Sequence, residues 1–248
     1  MRFGVVTFPG SNCDYDAYAA LRHVIGAPVE FLWHADTDLH DVDCVILPGG
    51  FSYGDYLRAG AIARFAPVMK SVIRFAESEG YVWGICNGFQ MLLEAGLLPG
   101  AMLRNASLRF SCRWIHLRVE STRTAYTQRC RPQQILRIPV AHAEGNYYAD
   151  DALLDDLESS GRVVFRYVDP KGTADDASNP NGSARSIAGI INAGGNVLGM
   201  MPHPERAVEK ILGSADGLAL FESLMSADGP DRRSESAVVG QSLDQARV

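Results

Sequence analysis

Apolar positions fall into two alternating kinds of run in the first hundred residues. Short continuous stretches with β-branched and aromatic residues cover 2–8, Val29–Trp33, 42–47 and Tyr81–Ile85 and predict buried strands. Between them, residues 14–25 place Tyr18, Leu21 and Ile25 at helical spacing. Residues 58–79 predict a long amphipathic helix with Ile62, Phe65, Val68, Val72, Phe75 and Ala76 on one face. A third helix starts at Asn87, carries Phe89, Met91, Leu92 and Leu93, and stops at Gly96. Strands alternating with helices predict βαβ units, an α/β chain whose mostly parallel sheet has helices on both faces. In such sheets, sites form in the loops at the carboxyl ends of the strands.

The pattern changes in the second half. Residues 114–119 and 135–140 read as strands, antiparallel across a turn-rich stretch. Residues 169–186 are rich in Gly, Asn, Asp, Ser and Pro and predict a loop. Ile187–Ile191 and 197–201 flank Asn192-Ala193-Gly194-Gly195-Asn196, a hairpin composition, and Leu218–Met225 closes the chain as a helix. No repeat or linker divides it. We expect a single domain over 1–226 and a polar tail over 227–248.

Composition narrows the function classes. A chain of 248 residues with 47% hydrophobic and 21% charged residues builds an ordinary globular core. A formal net charge of −6 argues against nucleic acid or an anionic membrane as the main partner. No apolar run reaches bilayer length, and the opening MRFGVVTFPG has no secretory-signal core. The five cysteines, Cys13, Cys44, Cys86, Cys112 and Cys130, show neither paired nor metal-ligand spacing, so a disulfide framework and a metal are not expected and a reducing cytoplasm is. Arginines crowd residues 104–137, forming either a solvated face or a surface for an acidic partner.

The candidate chemistry centres on YVWGICNGFQMLLEAG. Cys86 sits between a strand and a helix, with Gly84 and Gly88 on either side, in the arrangement of a nucleophile elbow. The helix N-terminus favours a thiolate, and the N–H of Asn87 can donate to an oxyanion. A cysteine nucleophile needs a base, and the base an orienting group. Among six histidines, His203 stands out because Glu205 lies two residues on, and i and i+2 of an extended segment face the same way. Pro202 and Pro204 stiffen that segment. Pro48-Gly49-Gly50 follows the strand before the elbow and would bring N–H groups around Gly50 and Phe51 to the same oxyanion, or else form a plain turn. His142 and Glu144, beside Gly145, are either a substrate-facing loop or a structural pair.

These residues also carry a family resemblance. GICNGFQ resembles the GxCxGxQ signature of class I glutamine amidotransferases, and PHPE resembles their His-x-Glu pair. FPGSNCDYD, GGFSYGDYLRAGAIA, NASLRFSCRW, AHAEGNYY and GMMPHPERA are similar to the glutaminase subunits of phosphoribosylformylglycinamidine synthases, which serve purine biosynthesis. The resemblance implies a flavodoxin-like doubly wound fold and hydrolysis of glutamine to glutamate and ammonia. Cys86 would be the nucleophile, His203 the acid and base, and Glu205 its orienter. Gln90 would contact the substrate, and Gly50, Phe51 and Asn87 would supply backbone contacts and oxyanion donors. It further implies a separate synthetase subunit that uses ATP and Mg2+, a small accessory subunit, and no cofactor on this chain. Two other readings are the related cysteine hydrolases and glyoxalase-like proteins that share the elbow, where the residue after the nucleophile is often His in place of Asn87, and a non-catalytic regulatory or binding subunit, which would have no need of Cys86 or His203.

Overall fold

The structure, a computed structural model, describes residues 1–55 and 57–227. All but the first residue of the tail expected over 227–248 lies outside the described residues. In chain order, strand β1 (Phe3–Thr7) leads to helix α1 (Asp14–Ala19), β2 (Val29–Trp33), β3 (Cys44–Leu47), α2 (Pro67–Glu77), β4 (Tyr81–Ile85) and α3 (Asn87–Glu94). The second half supplies β5 (Ala101–Leu103), β6 (Ser111–Val119), β7 (Ile135–His142), β8 (Asn146–Tyr148), α4 (Asp151–Ser159), β9 (Val163–Val168), β10 (Ile187–Ile191), β11 (Val197–Met200) and α5 (Leu218–Met225).

Nine strands form the main sheet in the order β2-β1-β3-β4-β11-β10-β9-β6-β7. The run from β2 to β11 is parallel, and the run from β11 to β7 is antiparallel. The chain leaves β1 to one side for β2 and returns to its other side for β3, so the strand order reverses there, as in doubly wound sheets. Every residue of β3, β10 and β11 is buried, which requires cover on both faces and explains their unbroken apolar sequences. The small sheet β5-β8 stands apart. Among the described residues, no helix is long and apolar enough to cross a membrane.

Two expected helices differ in form. Residues 14–25 are helical throughout, but Ala20–Ile25 widens into a π-helical segment closed by Gly26, whose N–H donates to Leu21 O. The helix expected over 58–79 begins only at Pro67, after a separate short 3-10 turn, Ala63–Phe65. Proline cannot continue an α-helix from the preceding turn, and it drives the residue before it out of helical geometry. Ala66 accordingly has φ −58° and ψ 143°. Phe65, expected on the buried face, is 70% exposed beneath the Arg64 guanidinium.

The arginine-rich stretch maps onto β6, β7 and their flanking turns. Arg118 pairs with Glu120 at 2.6 Å, and Arg137 lies over the Trp114 ring at 4.3 Å. Arg104, Arg109, Arg113, Arg123, Arg129 and Arg131 are exposed.

Candidate active site

The elbow forms because three residues divide the work. Cys86 itself takes the unusual backbone, φ 51° and ψ −105°, a conformation that costs a non-glycine residue about 1–3 kcal/mol. The neighbouring glycines are needed for space. A Cβ on Gly88 would sit 1.9 Å from Leu47 O, and one on Gly84 would sit 2.6 Å from Leu92 Cδ1. Helix α3 is thus pressed onto β3 and β4, and the Cys86 side chain stands at the carboxyl end of β4. Its sulfur is 3.7 Å from Ala141 O at the end of β7. The N–H of Asn87, first residue of α3, is one of the four donors that a helix leaves without an intrahelical acceptor.

His203 arrives from β11, the strand beside β4. Its Nδ1 lies 2.7 Å from Glu205 Oε1, with both side chains almost wholly buried. Its own N–H is fixed by Pro139 O at 2.9 Å. Burial opposes a charged imidazole, yet the Glu205 carboxylate, the Cys86 sulfur and the Cys13 sulfur together hold the His203 pKa well above the ordinary value. His203 Nε2 has no hydrogen-bond partner, so the nitrogen remote from Glu205 is free for proton transfer.

The glycine loop closes the other wall. Gly50 has φ +146°, and a Cβ there would lie 2.8 Å from Asn12 N. Only glycine serves at that position. A Cβ on Gly49 would meet His203 Cε1 at 2.6 Å. The Phe51 N–H donates to Gly10 O at 3.0 Å, so in this structure that donor is engaged between the two loops. The backbone curls over the β1 loop here, and Gly10 takes that donor.

Gln90 and Asn87 point into a polar network rather than open solvent. Asn87 Oδ1 accepts from Ser52 N–H at 3.1 Å, and its Nδ2 donates to Gln90 Oε1 at 2.8 Å. Gln90 Nε2 in turn donates to Glu144 O at 2.5 Å, while Glu144 Oε2 accepts from Ala59 N–H at 3.2 Å. His142 is buried with Nε2 against Asn181 Nδ2 at 3.1 Å. Burial, helped by the nearby His203 charge, lowers its pKa to about 3, so this ring is neutral. A Cβ on Gly145 would lie 2.2 Å from that ring.

One neighbour has no role marked by the spacing of the elbow or of the His-x-Glu pair. Cys13, from the loop after β1, has a ligand-type atom within 4.8 Å of those of His203 and Glu205. It also accepts from Arg206 Nη2 at 3.0 Å. Arg206 Nε donates to Asp16 Oδ2 at 2.9 Å, across 190 positions of sequence, a separation no local motif reveals. Cysteine, histidine and glutamate are zinc-ligand types, but the guanidinium already fills the cation's place at the sulfur.

The chain ends that meet here are those of β1, β3, β4, β7 and β11, and known proteins place the same architecture in a family. Residues 1–218 match the CobB/CobQ-like glutamine amidotransferase domain. The chain is 62% identical over 225 residues to phosphoribosylformylglycinamidine synthase subunit PurQ from Moorella thermoacetica, covering 91% of this chain and 95% of that one. It is 56% identical to the subunit of the same name from Salinibacter ruber, over 91% and 96% of the two chains. A solved structure of PurLQS from Thermotoga maritima contains a chain 44% identical, with a TM-score of 0.80 over 90% of this chain and 97% of that chain. With an elbow cysteine facing a buried His–Glu pair on this sheet, and relatives of this identity along nearly their whole length, the chain belongs to the PurQ family of glutamine amidotransferases.

Proposed function

We propose that this chain, as one domain over 1–226, is the glutaminase subunit of a phosphoribosylformylglycinamidine synthase. The observation that carries the reading is Cys86 on its strained elbow, beside a His203 whose Nδ1 is held by Glu205 and whose Nε2 is free. The Cys86 sulfur attacks the side-chain amide carbon of glutamine. The carbonyl oxygen becomes an oxyanion held by backbone N–H groups at Gly50 and Asn87. His203, holding the proton taken from the thiol, gives it to the departing nitrogen, and ammonia leaves a thioester on Cys86. His203 then removes a proton from water as it attacks the thioester, and returns that proton to sulfur as glutamate leaves. Glutamine and water become glutamate and ammonia, and the enzyme is restored. Gln90, His142 and Glu144 border the substrate side.

Ammonia passes by a protected route to a synthetase subunit, which uses ATP and Mg2+ to convert formylglycinamide ribonucleotide to formylglycinamidine ribonucleotide. A small accessory subunit completes the complex, which works in the cytoplasm. The exposed arginines of 104–137 and the loops around Cys86 are the surfaces offered to these partners. The test is ammonia release from glutamine by the chain alone and with its cognate subunits, ribonucleotide and ATP, each beside Cys86→Ala. Activity that rises in the complex and vanishes in the variant supports the reading. Equal release by wild type and Cys86→Ala sinks it.

A further inference from the structure

We propose that Cys13 is a positioning residue: its thiol holds the Arg206 guanidinium away from Glu205 and so keeps that carboxylate on His203. The inference rests on the glutaminase reading and adds to it a fourth side chain. Cys13 is only 2% exposed and lies at the start of α1, where its N–H donates to Gly49 O at 3.2 Å. It therefore ties the β1 loop to the glycine that packs on the His203 ring. Its sulfur lies against the His203 ring, whose charge it supports, and has two further polar contacts. The S–H lies 3.4 Å from Asn12 Oδ1 as donor, and the sulfur accepts from Arg206 Nη2 at 3.0 Å. Burial raises the Cys13 pKa, which keeps the group a neutral thiol and not a rival nucleophile.

The need for such a spacer follows from the charges. Arg206 follows Glu205 directly in sequence and feels its field. Glu205 Oε2 is buried without a partner, and a guanidinium is the group best shaped to fill it. A bidentate Arg206–Glu205 pair would compete with the single bond to His203 Nδ1 and leave the imidazole less firmly oriented and less basic. Two contacts prevent this: Asp16 holds Arg206 Nε, and Cys13 holds Nη2. Removing the sulfur frees the second arm of the fork.

The assembled complex with Cys13→Ala and Cys13→Ser tests the role, with folding checked by circular dichroism. The expected result is a fall in kcat of about 10-fold or more for Cys13→Ala with KM within about twofold. Cys13→Ser, which still accepts from Arg206, should stay within about threefold of wild type. Adding Arg206→Gln to Cys13→Ala should recover the activity of Arg206→Gln alone, because the competitor is gone. If Cys13→Ala does not fold, the equal-volume pair Cys13→Thr and Cys13→Val makes the same comparison, with Thr expected to be the more active. Equal kcat for the accepting and non-accepting side chains, or independent effects of Cys13 and Arg206, would overturn the proposal. Wild-type release dependent on Cys86 keeps the glutaminase reading intact in either case.

Discussion

Gly88 lies so close to Leu47 that a single methyl group added to it would stand 1.9 Å from the Leu47 carbonyl oxygen. The contact joins the first turn of α3 to the end of β3, and both ends of the site, the elbow and the glycine loop, hang from it. Gly88→Ala must therefore push the helix off the sheet. The expected cost is on the order of 2–3 kcal/mol in unfolding free energy, read from urea denaturation. Alkylation of Cys86 should slow in parallel, since the sulfur moves with the helix.

Glu205→Gln keeps the shape beside His203 and removes the charge. Against the penalty of burial, that charge is the leading support for the raised His203 pKa. Its loss lets the imidazolium deprotonate at lower pH, so the alkaline limb of the rate profile moves down. The expected fall in kcat is about 10²–10⁴-fold with KM little changed. Steady-state ammonia release across pH checks both.

Gly50→Ala adds a Cβ 2.8 Å from Asn12 N at a φ of +146°, where an alanine is strained on both counts. The peptide must rotate, and its N–H leaves the place proposed for the oxyanion. We expect kcat to drop about 10²-fold or more, with circular dichroism preserved. An unchanged kcat would place the second oxyanion donor elsewhere.

His142 gives an acid-stability signature. Its folded pKa, lowered by burial to about 3, lies below that of a free imidazole, so the unfolded state binds the extra proton first. Stability from this group is complete above the unfolded pKa and lost as pH falls toward the folded one. Going from about pH 7 to about pH 5, wild type should lose roughly 2 kcal/mol more than His142→Gln. Urea midpoints of the two proteins at both pH values measure it.

The parts of the site that follow local chemistry were legible in one dimension. The strand-Cys-helix junction, the Gly-Gly loop and the His-x-Glu pair each lie within a few residues, and the structure brings them to one end of the sheet. The hairpin of β10 and β11 and the antiparallel β6–β7 pair were equally plain. Pro67 is the readable signal for the broken helix, and helical spacing carried through it places Phe65 on the buried face, where it does not lie. Helix α4 carried its cap in Asp150, which accepts from Leu153 N–H at 2.8 Å, and β9 its run of VVFRYV; both are visible once 146–168 is scanned for them. The Phe51–Gly10 bond and the Cys13–Arg206–Asp16 chain were not legible, because they depend on which loops the sheet order makes neighbours.

That sheet order has a consequence for how the enzyme comes into being. Strand β11 slots between β4 and β10, pairing Val197 with Val82, and it brings His203 behind it. The proposed nucleophile is thus made early in synthesis and its proposed base late. A nascent chain carries Cys86 for roughly a hundred residues before its partner exists, and closing that long loop is the slow kind of step in folding. The site is therefore completed only when β11, the last strand among the described residues, has brought His203 to the elbow.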